Sequence, residues 1–164
     1  MKSRIFSVTL ALLMLAAGPA SLNAESGQEC IRAQVRTAVT VAAQGLSAVL
    51  KDTAADERLD LLRAYVDAVR FLPDKSGYFF VYTYGCVNVA HAVQPELVGK
   101  DLMDYQDPEG KFVIRELSAA ANQGGGFVDY VWPKPGEKGQ HPKVGYAAPI
   151  KGADWFIGSG CYGN

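Results

Sequence analysis

Apolar residues follow a helical period in the first part of the chain. From Ser26 onward they recur every three or four positions, as one face of a helix requires: Ile31, Val35, Val39, Ala42, Leu46 and Val49. Ser26-Gly27-Gln28-Glu29 fits a capping box and marks the predicted helix start. The narrow stripe favours packing on the helix's own domain, although it also suits a dimer seam. A second helix is predicted from about Thr53 to Phe71, ended by Pro73 and the turn after it.

The pattern changes to that of strands between Gly77 and His91. Two aromatic and β-branched runs flank a short turn at Thr83-Tyr84-Gly85, which predicts a β-hairpin. In the first run, alternation places Tyr78, Phe80, Tyr82 and Tyr84 on one face and Phe79, Val81 and Thr83 on the other. Both sets are mostly apolar, so the sheet is predicted to be covered on both sides.

The C-terminal half predicts a loop, a helix and three more strands. Residues Ala92–Glu109 are rich in Pro, Gly and Asp and predict a partly buried loop with one short helical turn, a type of segment that often binds ligands. A short helix is predicted at Lys111–Ala121, and strands at Phe127–Trp132, Lys143–Ile150 and Trp155–Cys161. Helices segregated around five antiparallel strands form an α+β domain.

The first 24 residues carry a targeting pattern. Lys2 and Arg4 precede an apolar run from Ile5 to Ala17, and small residues lead to Ala24, which predicts a signal peptide cleaved near Ala24. About 13 apolar residues are too few for a membrane-spanning helix. Residues 25–164 are therefore expected to form one exported domain in the periplasm.

Charge and motifs narrow the function. The chain has 16 basic and 17 acidic residues without a basic stripe, which argues against a nucleic-acid partner. It has no nucleophile elbow, phosphate loop, dinucleotide fingerprint or paired metal-binding histidines. We therefore expect neither an enzyme nor a structural metal, and no cofactor.

Six blocks of residues occur in a characteristic order: Gly77–Tyr82, Asn88–His91, Pro95–Leu102, Asp107–Lys111, Gly126–Gly136 and Trp155–Gly160. Together they resemble the single Cache domain family, extracellular relatives of PAS sensors, over roughly Asp74 to Tyr162. The resemblance implies a PAS-like five-stranded antiparallel sheet with a long N-terminal helix on one face. A short helix and loop layer on the other face, around Pro95–Leu117, would enclose a hollow of metabolite size.

The resemblance implies a small-molecule sensor that acts through another protein. Most family members pass a signal across the membrane to a kinase, cyclase or chemoreceptor tail. This sequence ends at Asn164 without such an output domain, so the expected partner is a separate membrane kinase or chemoreceptor. The alternative is a structural or interaction module whose pocket is filled by side chains and whose surface docks on a membrane signalling protein.

Seven side chains are candidates for the implied pocket: His91, Lys100, Tyr78, Tyr82, Tyr130, Trp132 and Tyr146. His91 would donate to a ligand carboxylate, or equally be a core histidine bonded to the backbone. Lys100 would supply positive charge, although a solvated surface position is favoured for it. The aromatic residues suit both a pocket wall and a sheet core, and core packing is favoured for each one. A short carboxylic acid is the preferred ligand, with a cationic amine as the alternative.

Three cysteines are an odd number for an oxidising compartment, so one pair and one leftover thiol are expected. The first and last strands are neighbours in PAS-like sheets, which makes Cys86–Cys161 the preferred disulfide. Cys30 would then be free or bridge two copies in a homodimer. The other two pairings stay open.

Overall fold

The computed structural model describes residues 19–163, with side chains from Gln28 onward except that of Cys30. The elements are, in chain order, α1 (Pro19–Asp52), α2 (Arg58–Ala68), β1 (Arg70–Phe71), β2 (Gly77–Tyr78), β3 (Phe80–Thr83), β4 (Asn88–His91), a 3-10 turn (Pro95–Leu97), α3 (Val113–Asn122), β5 (Gly126–Pro133), β6 (Gln140–Ile150) and β7 (Trp155–Tyr162). Most of the predicted signal peptide, residues 1–24, lies outside this part of the chain. Within residues 19–163, no helix has the length and apolar character needed to cross a membrane.

The five longer strands form one antiparallel sheet in the order β4-β3-β7-β6-β5. The predicted hairpin is confirmed, since β3 pairs with β4 and Phe80 lies opposite His91. The expected contact between the first and last strands is also present, because Phe80 lies opposite Gly158 of β7. β1 and β2 form a separate two-stranded ribbon. The α+β fold with a PAS-like sheet is therefore confirmed.

Side chains around β3 alternate between two cores on opposite faces of the sheet. Phe79 and Val81 pack into the first core, where α1 and α2 contribute the buried residues Val35, Val39, Leu46, Leu62 and Val66. Tyr78, Phe80 and Tyr82 pack into the second core, where α3 contributes Val113, Ile114 and Leu117. The prediction that both faces are covered is confirmed.

The predicted helix bounds need two corrections. α1 begins at Pro19, so the predicted capping box at Ser26 lies inside the helix. Residues 20–25 contain neither Pro nor Gly, and nothing in them ends a helix. α2 is shorter than predicted, and Phe71 belongs to β1. Val69, the residue after α2, has φ and ψ of −97° and 124°, an extended conformation that ends the helix before Phe71.

Residues 92–112, here called the roof loop, cover the second core and contain the predicted helical turn. On one side the loop runs along β4: the N–H of Gly99 donates to the carbonyl of Asn88 at 2.8 Å, and the N–H of Asn88 donates to the carbonyl of Lys100 at 3.0 Å. The roof loop thus adds hydrogen bonds to the outer edge of the sheet.

Asp107 fixes the other end of the roof loop to β5. Its carboxylate accepts the backbone N–H groups of Glu109, Lys111 and Val131 at 3.0, 2.9 and 2.9 Å. Burial alone would raise the pKa of Asp107, but these N–H groups together hold the pKa below its ordinary value. The ionised carboxylate is therefore the form that ties the roof to the sheet.

The predicted Cys86–Cys161 disulfide is wrong, because both thiols are free and buried. In the antiparallel pairing of β3 with β7, Gly158 lies opposite the first residue of β3. Cys161 comes three residues after Gly158 and so lies past the start of β3, whereas Cys86 comes three residues after Thr83 and lies past its end. The two thiols also belong to opposite cores. Disulfide geometry requires Cα atoms about 4.4–6.8 Å apart, which this arrangement excludes.

Candidate binding site

A small hollow lies in the second core, between the sheet and α3. Its walls combine aromatic side chains of the strands with aliphatic ones of α3: Phe80, Tyr82, His91, Val113, Ile114, Leu117, Tyr130 and Trp132. The space open to the centre of a water molecule is about 10 Å³, which is room for about one water. The hollow is where the sequence predicted it, but the metabolite-sized volume that was expected is not open in this structure.

Most of the predicted site residues meet at this hollow. Tyr82, His91, Tyr130 and Trp132 line it. Tyr78 is fully buried beside it, with its ring centroid 5.3 Å from that of His91. The aromatic wall that the sequence predicted is therefore assembled from four strands.

Two predicted site residues lie elsewhere. Lys100 is exposed on the roof loop, the solvated surface position that was favoured for it from the sequence. Tyr146 lies on the opposite face of the sheet, where its ring packs 4.8 Å from that of Phe127 and borders a groove along α1. The physical reason is alternation on β6, since Ala147 faces the second core and its neighbour Tyr146 must face the first.

His91 enters the hollow as a neutral ring. Its Nδ1 accepts the backbone N–H of Gln94 at 3.0 Å and, more weakly, that of Val93 at 3.4 Å. Burial, together with the nearby Lys143 and Arg70, lowers the pKa of His91 to about 3. With Nδ1 acting as an acceptor, the proton of the neutral ring sits on Nε2. His91 thus offers one N–H donor.

Lys143 is a candidate site residue that sequence reasoning missed. It is only 2% exposed, and its Nζ donates to the hydroxyl of Tyr78 at 2.7 Å. Four rings surround the nitrogen, with centroids 4.1, 5.8, 6.0 and 4.7 Å away: those of Tyr78, Phe80, Tyr130 and Tyr162. Three of these rings belong to the second core that also contains the hollow.

A chain of hydroxyl groups orients Lys143. The Tyr162 hydroxyl donates to the carbonyl of Pro133 at 2.6 Å, so it accepts from the Tyr78 hydroxyl 3.2 Å away. Tyr78 in turn accepts from Lys143. Each hydroxyl therefore donates once and accepts once, and the polarity of the chain is fixed by the Pro133 carbonyl.

No ion pair among the described residues involves Lys143. The ion pairs of the described residues join Arg115 to Asp104, and Lys134 and His141 to Glu137. Burial holds the pKa of Lys143 well below its ordinary value. A buried amine in an aromatic core without a carboxylate is costly, because neither form finds full solvation there. The surrounding rings offset part of that cost for the ammonium form.

Comparison with known families identifies the domain. Residues 24–164 match the family described as single Cache domain 2. This chain belongs to the single Cache domain family.

Relatives of this Cache domain are parts of sensory proteins. The chain is 35% identical over 161 residues to the methyl-accepting chemotaxis protein McpP of Pseudomonas putida, an alignment that covers 94% of this chain and 28% of McpP. The chain thus spans little more than a quarter of that relative's length.

Two solved structures share the fold. A periplasmic sensor domain of a chemotaxis protein is 36% identical, with a TM-score of 0.72, over 80% of this chain and 94% of that one. A Cache chemosensory domain, solved to show the structural basis for its carboxylic acid recognition, is 26% identical, with a TM-score of 0.69, over 90% of this chain and all of that one (100%). The architecture of this chain is therefore that of a Cache sensor domain.

One sequence signal would have pointed to Lys143 in this Cache domain. Val144, Tyr146 and Ala148 alternate as an apolar face, which places Lys143 on the other face of the same strand. Because both faces were predicted to be covered, a lysine there had to be buried. Gly160 makes room for it, since a Cβ at that position would lie 2.7 Å from Cε of Lys143.

Proposed function

We propose that this chain binds a short carboxylic acid in the hollow and signals its presence through a separate partner. The observation that carries the proposal is Lys143, a fully buried amine with no carboxylate among the described residues to pair with it. A ligand carboxylate would supply that missing charge and restore the ammonium form.

The surrounding donors suit a carboxylate. Lys143 uses one N–H for Tyr78 and keeps others for a ligand. His91, which lines the hollow, offers its Nε2 proton. Charge-assisted hydrogen bonds from a buried amine are among the stronger polar contacts in proteins. The carbon chain of the acid would then lie against Phe80 and the aliphatic residues of α3.

A cationic amine is the poorer ligand. The aromatic cage that would bind it already surrounds the nitrogen of Lys143, with the Tyr78 and Tyr162 centroids within 5 Å of Nζ. A second cation there would be repelled by any charge on Lys143 and would lack an acidic partner. The alternative ligand class is therefore disfavoured by the same residue that supports an acid.

The second candidate function is an interaction module with a filled pocket. The observation that favours it is the volume of the hollow, about 10 Å³. Acid binding requires Val113, Ile114 or Leu117 of α3 to move outward, and this need to expand restricts the ligand to a few carbons. A filled pocket would instead stay closed at every ligand concentration.

Thermal unfolding with acetate and propionate separates the two functions. At 100 times its dissociation constant, an acid that binds only the folded state adds about 2.7 kcal/mol of stability. We expect both acids to raise the Tm, methylammonium chloride to leave it unchanged, and Lys143→Met to abolish the acid effect. Lys100→Met, which removes an exposed lysine, is the matched control and should keep it. The absence of any Tm increase with either acid would favour the filled module.

The proposed setting is the periplasm, after removal of residues 1–24, next to a membrane kinase or chemoreceptor. The likeness to a periplasmic sensor domain supports this setting. A homodimer through α1 is part of the proposal, since Val41 and Val49 on that helix are 62% and 51% exposed. Sedimentation velocity of wild type and of a Val41→Lys variant tests it, and a monomer for both would contradict it.

A further inference from the structure

We propose that the hollow has a second polar anchor, formed by the Tyr82 hydroxyl and the Asn88 side-chain amide. This anchor would select acids that carry an uncharged hydrogen-bonding group at the end remote from the carboxylate. The inference rests on the proposed acid site and adds a specificity to it.

Three buried polar atoms in this part of the second core lack a partner. The Tyr82 hydroxyl and both the nitrogen and the oxygen of the Asn88 amide form no hydrogen bond to any described residue. Both residues are 1% exposed. Buried polar groups in proteins are nearly always hydrogen-bonded. Three such atoms on paired residues therefore indicate a place for an occupant with polar atoms of its own.

The strand register places this anchor on the face of the hollow. Tyr82 lines the hollow and lies opposite Asn88 across the β3–β4 pair, and paired residues point to the same face. His91 lies opposite Phe80, two residues earlier on β3. On β3 the partners of His91 and Asn88 are two residues apart, which is about 7 Å of strand, and a bulge in the β3–β4 pairing accommodates the extra residue on β4. A short acid with a terminal polar group has a comparable length.

The chemistry of the anchor favours an uncharged group. Burial raises the pKa of Tyr82, so the phenol stays protonated and can donate. The Asn88 amide can both donate and accept. Besides burial, the groups that act on the pKa of Tyr82 are the side chains of Asn88, Tyr105 and Cys86, and none of them is a cation. A second carboxylate would be buried there without a counter-charge, whereas a hydroxyl group would find both a donor and an acceptor.

Three probe acids of nearly equal size test this specificity. Butyrate and 3-hydroxypropionate have the same number of non-hydrogen atoms and differ in a terminal methyl against a hydroxyl. Malonate places a second carboxylate at the same end. Titration calorimetry of the full chain should show 3-hydroxypropionate binding about tenfold more tightly than butyrate, the effect of one net hydrogen bond. Malonate should bind more weakly than both.

Variants assign the preference to the anchor. Tyr82→Phe and Asn88→Leu should each lose the preference for 3-hydroxypropionate while still binding butyrate. Tyr84→Phe is the matched control, because Tyr84 packs against the second core but does not line the hollow, and it should keep the preference. An unchanged preference in Tyr82→Phe would overturn the assignment.

The free protein gives a second readout. Removing an unpaired buried hydroxyl should leave the Tm of Tyr82→Phe unchanged or raise it. A lower Tm, or a variant that does not fold, would mean that the hydroxyl has a partner within the protein, and the anchor would be ruled out.

The failures of the two proposals are distinguishable. If acetate, propionate and all three probes leave the protein unaffected, the acid site itself is wrong. If acetate binds but butyrate matches or exceeds 3-hydroxypropionate, the acid site stands and the second anchor does not.

Discussion

The indole Nε1 of Trp132 donates a hydrogen bond to Oε1 of Gln94 at 2.7 Å. This bond joins β5 to the start of the roof loop beside the hollow. The Trp132 ring also packs 5.3 Å from Tyr105 of the roof and 6.5 Å from His91. Gln94 is further tied to His91, which accepts its backbone N–H. The four residues form a closure over one side of the hollow.

Replacing Gln94 by Leu should weaken this closure. The buried indole N–H would lose its acceptor, which should lower the free energy of unfolding by about 1–3 kcal/mol. Gln94→Glu keeps an acceptor oxygen and should lose less. Urea unfolding of both variants measures the difference, and equal losses would show that the Trp132 bond contributes little.

Lys143 should give the free protein a pH-dependent stability. Its pKa is lowered in the folded state, so between that value and about 10.4 the unfolded state binds more protons. Stability should therefore rise with pH in this window, by up to about 1.4 kcal/mol per pH unit for this group. Lys143→Met should remove that dependence on pH. It should also raise the free energy of unfolding near pH 7, because an apolar side chain fills the site without the cost of desolvating an amine. Urea unfolding from pH 7 to pH 9 measures both effects; an identical slope in Lys143→Met would refute the assignment.

Asp107 should stabilise the fold above its unfolded pKa, near 3.9, and lose this contribution as the pH falls through its lower folded pKa. Asp107→Asn leaves one backbone N–H facing the NH2 of the amide, which cannot accept it. The variant should therefore lower the free energy of unfolding by about 2 kcal/mol at pH 7. Asp104→Asn, on the exposed part of the same loop, is the control and should cost less. Chemical unfolding at pH 7 and acid unfolding below pH 4 test these points. A loss in Asp104→Asn as large as that in Asp107→Asn would contradict the role given to Asp107.

Gly158 should not tolerate a side chain. A Cβ at Gly158 would lie 2.3 Å from the ring of Phe80 and 3.0 Å from the carbonyl of Tyr146, so Phe80 would be pushed into the hollow. Gly158→Ala is expected to cost about 1–3 kcal/mol as an overpacked core. Gly45→Ala in α1, where nothing lies within 4 Å, should instead stabilise by up to about 1 kcal/mol. The Tm values of the two variants test this difference, and an unchanged Tm in Gly158→Ala would contradict the packing argument.

Alternation and family resemblance predicted the sheet and most of the aromatic wall. The Tyr78–Tyr82 pattern is strong because every residue in it is aromatic or β-branched, so both faces required a covering layer. Lys143 was not predicted as a site residue, because a lysine at the start of a predicted strand is ordinarily solvated. Its burial depends on Gly160 of the neighbouring strand, which leaves room for its Cε, and on four rings brought from distant parts of the chain.

Two further errors have the same origin in long-range geometry. The cysteine pairing was inferred from neighbouring strands, but neighbouring strands do not fix which ends coincide, and register separates Cys86 from Cys161. The volume of the hollow depends on how the side chains of α3 meet Phe80 and Tyr82. That interdigitation is a property of the packed core and is not encoded in periodicity.

The roof loop has a consequence for aggregation. An open sheet exposes unpaired backbone groups on its two outermost strands, where another molecule can add a strand. Here the roof loop occupies part of both edges. On β4, its backbone groups at Gly99 and Lys100 pair with those of Asn88. On β5, the side chains of Asp107 and Lys111 bind the N–H of Val131 and the carbonyl of Asp129. Any opening wide enough to detach this loop would uncover both edges at once and leave the molecule prone to self-association through intermolecular strand pairing.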